Sequence, residues 1–196
     1  MQGYQAIARV SERLIAMLQE ELVPDFIPQK DKIGLCNPAD RGDTAVGIYL
    51  YDIMENEDIA RGRQMYNSND RRMVYPPIYL NLYYMITPYF MGNVRYRTMG
   101  EHETLGRIIQ YLHDYPIISI DNIDKEDKDG IDLKVELLRL DMEQKSRIWN
   151  YPNEPYRTSL FYRISPVIIS SDRYKSVERV KVARINVDDK YEGGGR

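Results

Sequence analysis

The sequence predicts an α+β domain in which a mainly antiparallel, mixed sheet is packed by a long N-terminal helix and a central amphipathic helix. Three observations carry this. Apolar side chains recur at helical spacing from Tyr4 to Leu22. Two long segments, Thr44–Met54 and Pro76–Thr87, alternate with strand periodicity. The order helix, strands, helix, strands, short helix, strand is that of an α+β chain rather than of a regular βαβ series.

Along the chain, Tyr4, Ile7, Ala8, Ser11, Leu14, Ile15, Leu18 and Leu22 give an amphipathic helix of about five turns that Pro24 stops and that packs on the sheet. From Pro24 to Asp43 the composition turns to Pro, Gly, Asn, Asp and Lys, and a loop of about 20 residues is expected. In Thr44–Met54, Val46, Ile48 and Leu50 share one face, and Tyr49 and Tyr51 the other. Glu55–Tyr75 is polar, charged and rich in turn formers, as in a long exposed connection that orders against a partner.

The stretch Pro76–Ile118 is the centre of the chain. Ile78, Leu80, Leu82, Tyr84 and Ile86 share one strand face; Tyr79, Asn81, Tyr83, Met85 and Thr87 share the other. Neither face is strongly polar. The strand is therefore central, or has one face on a helix and the other on a neighbouring subunit. Thr98 and Glu101 are spaced as a capping box for the next helix. Leu105, Ile108, Ile109 and Leu112 form its apolar stripe, and Pro116 ends the element.

Ile117–Ile120 reads as a short strand, Asp121–Gly130 as a charged turn, and Ile131–Leu137 as a strand with one wet face. Asp141 is placed to cap a short helix running to about Asn150, with Met142, Lys145 and Trp149 roughly in line. In the last long strand, Arg157–Ile169, Pro166 requires a sheet edge or a bulge. The reading divides the chain into a body, residues 1–171, and a β-prone then flexible arm, residues 172–196. Val177–Val187 either folds onto the body or adds a strand to a partner's sheet.

Composition narrows the function. The 27 basic and 30 acidic side chains give a net charge of −3 with no basic stripe, which argues against a nucleic-acid partner. The single cysteine, Cys36, excludes an internal disulfide; it reads as a small side chain in a loop with no neighbouring base. Arg9, Glu12, Arg13 and Glu20 interrupt the N-terminal apolar positions, and no window approaches the roughly 18 apolar residues of a membrane span. Cytoplasmic synthesis and assembly without membrane contact is the expectation. The 17 tyrosines against 3 Phe and 1 Trp suit surfaces that are buried only on assembly.

Chemistry finds little footing. Glu101-His102-Glu103 resembles a zinc-helix motif, but the fourth position after His102 is Gly106. His113 lies on nearly the same helix face and about 16 Å away along the axis, too far for one ion. Asp121, Asp124, Glu126, Asp127 and Asp129 lack calcium-loop spacing. Gly92, Gly100 and Gly106 fit neither phosphate-binding pattern, and Ser159 sits mid-strand rather than on a nucleophile elbow. Arg61, Arg63, Arg71 and Arg72 are interleaved with Glu57, Asp58 and Asp70, as on a solvated loop. No catalytic residue, cofactor or metal is expected. Two other classes stay open: a metal-dependent hydrolase using His102, Glu103 and Asp114, and a monomeric peptide or small-molecule binding module using the tyrosine-lined strands.

Four blocks taken together carry a family resemblance. They are Gly47–Asn56 (GIYLYDIMEN), Pro76–Thr87 (PPIYLNLYYMIT), Gly100–Ile118 (GEHETLGRIIQYLHDYPII) and the paired segments within Ile131–Ser170. In this order they resemble the N-terminal domain of the tail-cap, or tail-terminator, proteins of phage-tail-like contractile injection systems, of the antifeeding-prophage and virulence-cassette type. Tyr51, Ile53, Glu55 and Asn56 match the family's first motif; Glu101, His102, Leu105, Gly106, Leu112, His113, Asp114 and Pro116 match its helix. Tyr156, Arg157, Ser159, Tyr162, Ser165 and Pro166 match its last strand, with Ile164 where valine is common. The departures are the long Glu55–Tyr75 insertion and the end of the chain at Arg196, where relatives can carry further domains.

The resemblance implies a tail-terminator-like fold and no enzymatic activity. It also implies a homohexameric ring that docks on the last sheath and inner-tube rings and ends their growth, in a particle of a type that can be released from the cell. Self, sheath protein and inner-tube protein would be the partners. On that reading the candidate interface residues are Tyr49, Tyr51, Tyr79 and Tyr83 on the strands, Arg61, Arg63, Arg71 and Arg72 in the polar connection, and Val180, Val182 and Ile185 in the arm.

Overall fold

A computed structural model describes residues 3–59, 65–67, 72–90, 94–120 and 131–176. In chain order the elements are α1 (Ala6–Leu22), β1 (Ile33–Leu35), β2 (Val46–Glu55), β3 (Met65–Asn67), β4 (Arg72–Val74), β5 (Ile78–Pro88), α2 (Val94–Asp114), β6 (Ile117–Ile120), β7 (Ile131–Leu137), α3 (Met142–Ile148), β8 (Leu160–Ile169) and β9 (Tyr174–Ser176). A six-stranded sheet runs β1-β2-β5-β8-β7-β6, and β3-β4-β9 form a second, three-stranded sheet. Only β1 and β2 pair in parallel; the remaining pairs are antiparallel. The mainly antiparallel mixed sheet with its N-terminal helix is thus as the sequence predicts. β5 is internal, which explains why neither of its faces is polar.

One sheet face carries the main core. Val46 and Ile48 of β2, Leu82, Tyr84 and Ile86 of β5, Tyr162 and Ile164 of β8, and Leu133 and Val135 of β7 pack under Val10, Leu14, Leu18 and Leu22 of α1 and Ile108 and Leu112 of α2. Burying a large aliphatic side chain contributes about 1.5–3 kcal/mol, so this layer holds the helices on the sheet. The buried stripe of α1 is rotated from the expected one: Ala6, Val10 and Met17 are inside, while Tyr4 and Ala8 face solvent. One polar link crosses the layer, a 2.8 Å hydrogen bond between Ser11 Oγ and Tyr84 Oη.

Two irregularities keep the faces in phase. The β2–β5 register shifts between Leu50 and Asp52, which sets Asp52 opposite Tyr83 on the second face and Ile53 opposite Leu82 on the first. On β8, Ser165 and Pro166 together oppose Asn81 of β5, where the ladder to β7 also ends at Ser165. Proline has no N–H to donate, and the fold places it where none is required.

Three expectations are corrected. The predicted loop Pro24–Asp43 contains β1: Ile33 is buried, Ala45 N donates to Lys32 O at 2.8 Å, and Cys36 N donates to Ile48 O at 3.1 Å. A three-residue strand is too short to show a period. The Glu55–Tyr75 connection is not simply exposed coil, since β3 and β4 pair within it and β4 pairs with β9. Its partner lies about a hundred residues away, beyond any local pattern. Finally, α2 starts at Val94, so Thr98 and Glu101 lie inside the helix and form no capping box at its start. At α3 the expected cap does form: Asp141 accepts from Gln144 N at 2.8 Å, and Gln144 Oε1 accepts from Asp141 N at 3.0 Å.

Candidate assembly interface

The second sheet face is aromatic. Met85, Tyr89, Trp149 and Phe161 form its buried centre, with Tyr49, Tyr51, Ile148 and Tyr151 packed around them. Alternation along β2, β5 and β8 sends these side chains away from α1. The segment after α3 then folds back, so that Trp149 meets Tyr151 edge-on at 5.8 Å and Tyr151 meets Tyr49 edge-on at 6.2 Å. Tyr51 packs edge-on against Phe161 at 5.9 Å and tilted against Tyr83 at 6.1 Å. Burial, followed by the nearby Tyr83 hydroxyl, pushes the Tyr51 phenol up to about 12, so it stays neutral at physiological pH.

At one end of this face two guanidiniums lie over the Tyr89 ring, Arg41 at 4.8 Å and Arg157 at 5.4 Å from its centroid. Arg157 also reaches back to α2, where Glu101 accepts from it at 3.2 Å and from Phe90 N at 3.4 Å. Glu101, read from sequence as serving the helix N-terminus, instead ties α2 to the approach to β8. At the open end, Arg163 bonds the carboxylate of Glu136 across the β7–β8 ladder, and Lys134, two residues earlier on β7, bonds it along the strand. These bonds, Lys134's first and then Arg163's, hold the Glu136 carboxyl below its ordinary range.

The expected interface residues fall into three groups. Tyr49, Tyr51, Tyr79 and Tyr83 are each half-buried, so their rings serve this chain's own packing as well as offering a surface. Arg72 begins β4. Arg61, Arg63, Arg71, Val180, Val182 and Ile185 lie outside the described residues, as do the whole of Val177–Val187 and the Asp121–Gly130 turn. Of the residues considered for hydrolysis, His102, Glu103 and Asp114 are exposed, and among the described residues no group of three or more His, Cys, Asp or Glu could hold a metal. A hollow of about 390 Å³ between Phe26–Gln29 and Phe90 has apolar walls; Lys32 and Asp43, its charged lining residues, pair with each other.

Sequence reasoning missed Tyr89, Trp149, Tyr151 and Phe161 as one cluster, because they come from three distant segments. The available signal was a run of aromatics on the face opposite the aliphatic stripe. It also left unexplained Asn56, which the structure accounts for. Asn56 N donates to Tyr79 O at 2.8 Å and its amide donates to Asn81 Oδ1 at 3.0 Å, closing the end of β2 onto β5. No helix among the described residues is long and apolar enough to cross a membrane.

Comparison with known proteins bears on this architecture. No curated protein sequence matches the chain. Among solved structures, it is similar to the sheath/tube terminator, in the extended state, of the extracellular contractile injection system PVC. That match has TM-score 0.64 and 17% identity, over 94% of this chain and 64% of that one. It is also similar to the tube-terminating cap of the anti-feeding prophage, with TM-score 0.61 and 17% identity over 91% of this chain and 60% of that one. The chain thus spans less than two thirds of the length of either, and at this identity the likeness is one of fold. The model of the Pvc16 N-terminal domain matches residues 9–182, from the second turn of α1 past β9. That span takes in every element of both sheets, and the chain belongs to the Pvc16 N-terminal domain family.

Proposed function

We propose that this chain is a structural cap of a contractile injection system, a terminator that binds the last sheath and inner-tube rings and halts their growth. The observation that carries the reading is the family match over residues 9–182, joined to a fold shared with two terminators over more than nine tenths of the chain. A terminator needs one face that imitates the next ring and another that offers no site for a further one. The half-buried tyrosines Tyr49, Tyr51, Tyr79 and Tyr83 are suited to the first role, since an aromatic ring contributes contact area and its hydroxyl a hydrogen bond. On this reading the protein acts as a homohexameric ring without enzymatic activity. It is made and assembled in the cytoplasm, into a particle of a type that can be released from the cell.

The reading also assigns Arg61, Arg63, Arg71 and Arg72 to ring-to-ring contact. The segment beyond the body, with Val180, Val182 and Ile185, is an arm reaching sheath protein. The test is the length distribution of tubes polymerised with inner-tube and sheath proteins, with and without this chain. Shorter, uniform tubes are expected with the full chain, and a weaker effect with a truncation after Ser176, which keeps the β9 pairing to β4. Tubes of unchanged length with the full chain would sink the cap reading; equal capping by the truncated chain would sink the arm.

A further inference from the structure

Between the end of α2 and β7 lies a groove of about 160 Å³. Ile109, Leu112 and His113 line it from α2, Val135 and Leu137 from β7, and Tyr162 from β8. Pro116, just after the helix, is also in its wall, and Val135 N donates to Pro116 O at 2.7 Å. Helix end and strand are therefore tied together, and the groove is preformed. Ile109 and Leu137 are 38% and 49% exposed, so its opening is apolar apart from the exposed His113.

On the inner wall, Tyr162 is 3% exposed, and its hydroxyl has no hydrogen-bond partner among the described residues. Tyr84, directly opposite on β5, has Ser11 of α1 at 2.8 Å. Ile109 and Leu112, which α2 contributes to the groove, are aliphatic and offer Tyr162 nothing equivalent. Buried hydroxyls are nearly always paired, and one left unpaired costs stability. An occupant that brings a single polar group into the groove recovers that cost on binding.

Size and polarity select that occupant. A space of this volume takes one six-membered ring. A hydrocarbon ring leaves the Tyr162 hydroxyl unpaired, and a carboxylate or ammonium would lose its hydration against aliphatic walls. An amide carries more donors and acceptors than one hydroxyl can pair, whereas a phenol carries a single hydroxyl that donates or accepts. A free phenol would leave the exposed Ile109 and Leu137 in water. A polypeptide carrying the ring covers them, as apolar contacts surround an aromatic anchor at protein interfaces. We propose that this groove is a docking point for a partner protein, which inserts one tyrosine side chain between α2 and β7 and bonds its hydroxyl to that of Tyr162. This rests on the cap reading, under which the tyrosine belongs to the last ring that the chain caps.

The test has two arms. In the first, p-cresol, the tyrosine side chain as a free molecule, and toluene, which lacks the hydroxyl, are titrated into the full chain and followed by the methyl NMR signals of Ile109 and Leu137. Saturable shifts are expected, with p-cresol preferred over toluene by about twofold to tenfold, the value of one net hydrogen bond. In Tyr162→Phe, which keeps the fold, that preference is expected to vanish. Absence of saturable shifts at these methyls, or the same preference in both chains, overturns the site. In the second arm, the wild-type chain, Tyr162→Phe and Leu137→Asp are sedimented with tubes assembled from inner-tube and sheath proteins. Leu137 is exposed, so Leu137→Asp also folds, which circular dichroism verifies. Both variants are expected to bind the tubes more weakly than the wild type, Leu137→Asp the more so. Variants that bind like the wild type overturn the docking point and leave the cap reading standing. A wild-type chain that neither binds the tubes nor shortens them overturns both.

Discussion

Tyr84 and Tyr162 are directly opposite on β5 and β8 and are both buried in the main core, yet they should respond oppositely to losing the hydroxyl. Burial pushes both phenols up to about 12. Tyr84 has Ser11 at 2.8 Å, whereas Tyr162 has no partner among the described residues. Ser11 donates its single proton to Ile7 O at 3.1 Å, so Tyr84 is the donor and Ser11 the acceptor. Tyr84→Phe then removes one net hydrogen bond, worth about 0.5–1.5 kcal/mol. Ser11→Ala strands the buried phenol and costs about 1–3 kcal/mol. Once the phenol is gone, removing the serine should add little, so the double variant falls near Tyr84→Phe, and the difference is the coupling. Tyr162→Phe deletes a hydroxyl that bonds nothing and should leave stability unchanged or raise it by up to about 2 kcal/mol. For a chain of this length each kcal/mol moves the melting temperature by about 2–4 °C. Urea unfolding followed by the fluorescence of Trp149, the only tryptophan, reads all four variants. The reasoning fails if Tyr162→Phe destabilises as much as Tyr84→Phe, or if Ser11→Ala is milder than Tyr84→Phe.

Two further outcomes are expected. Tyr51, Tyr84, Tyr89 and Tyr162 are all raised to about 12, chiefly by burial. An unfolded phenol loses its proton near its ordinary value of about 10, while the folded one retains it. The unfolded state therefore binds fewer protons above that pH, and stability, full below about 10, should fall steeply between about 10 and 12. Melting temperature against pH checks this; a flat profile across that window would contradict the buried placement of these rings. Gly47→Ala should destabilise by about 1–3 kcal/mol, because the added methyl would meet Cys36 Sγ and lie 2.9 Å from the Tyr89 ring. Thermal unfolding decides, and a neutral result would mean that the β1–β2 contact is looser than described.

Much of the architecture was legible because each long element carries its own period. α1, β2, β5, β7 and β8 were all readable from alternation or helical spacing, and the cap at Asp141 from local chemistry alone. The elements that were missed, β1, β3, β4 and β9, are each three residues long and exist through pairing. The start of α2 was misplaced because Thr98 and Glu101 have the spacing of a cap, yet Glu101 instead reaches Arg157, 56 residues later. The candidate surface divides the same way: the tyrosines were visible as an excess, but not which of them the chain needs for itself.

By itself, then, the sequence determined the α+β class, the central strand, the packing helices and, through four ordered motifs, the family, since these depend on local periodicity and on residue identity. Only the tertiary structure decided that Arg41 and Arg157 both lie over the Tyr89 ring and that Tyr151, after α3, meets both Trp149 and Tyr49. It alone sets Ile53 in one row with Leu82, Ile164 and Val135. Those relations join residues far apart in the chain, and they are set by strand register and bulges, whose energies are shared over the whole sheet and written in no single segment.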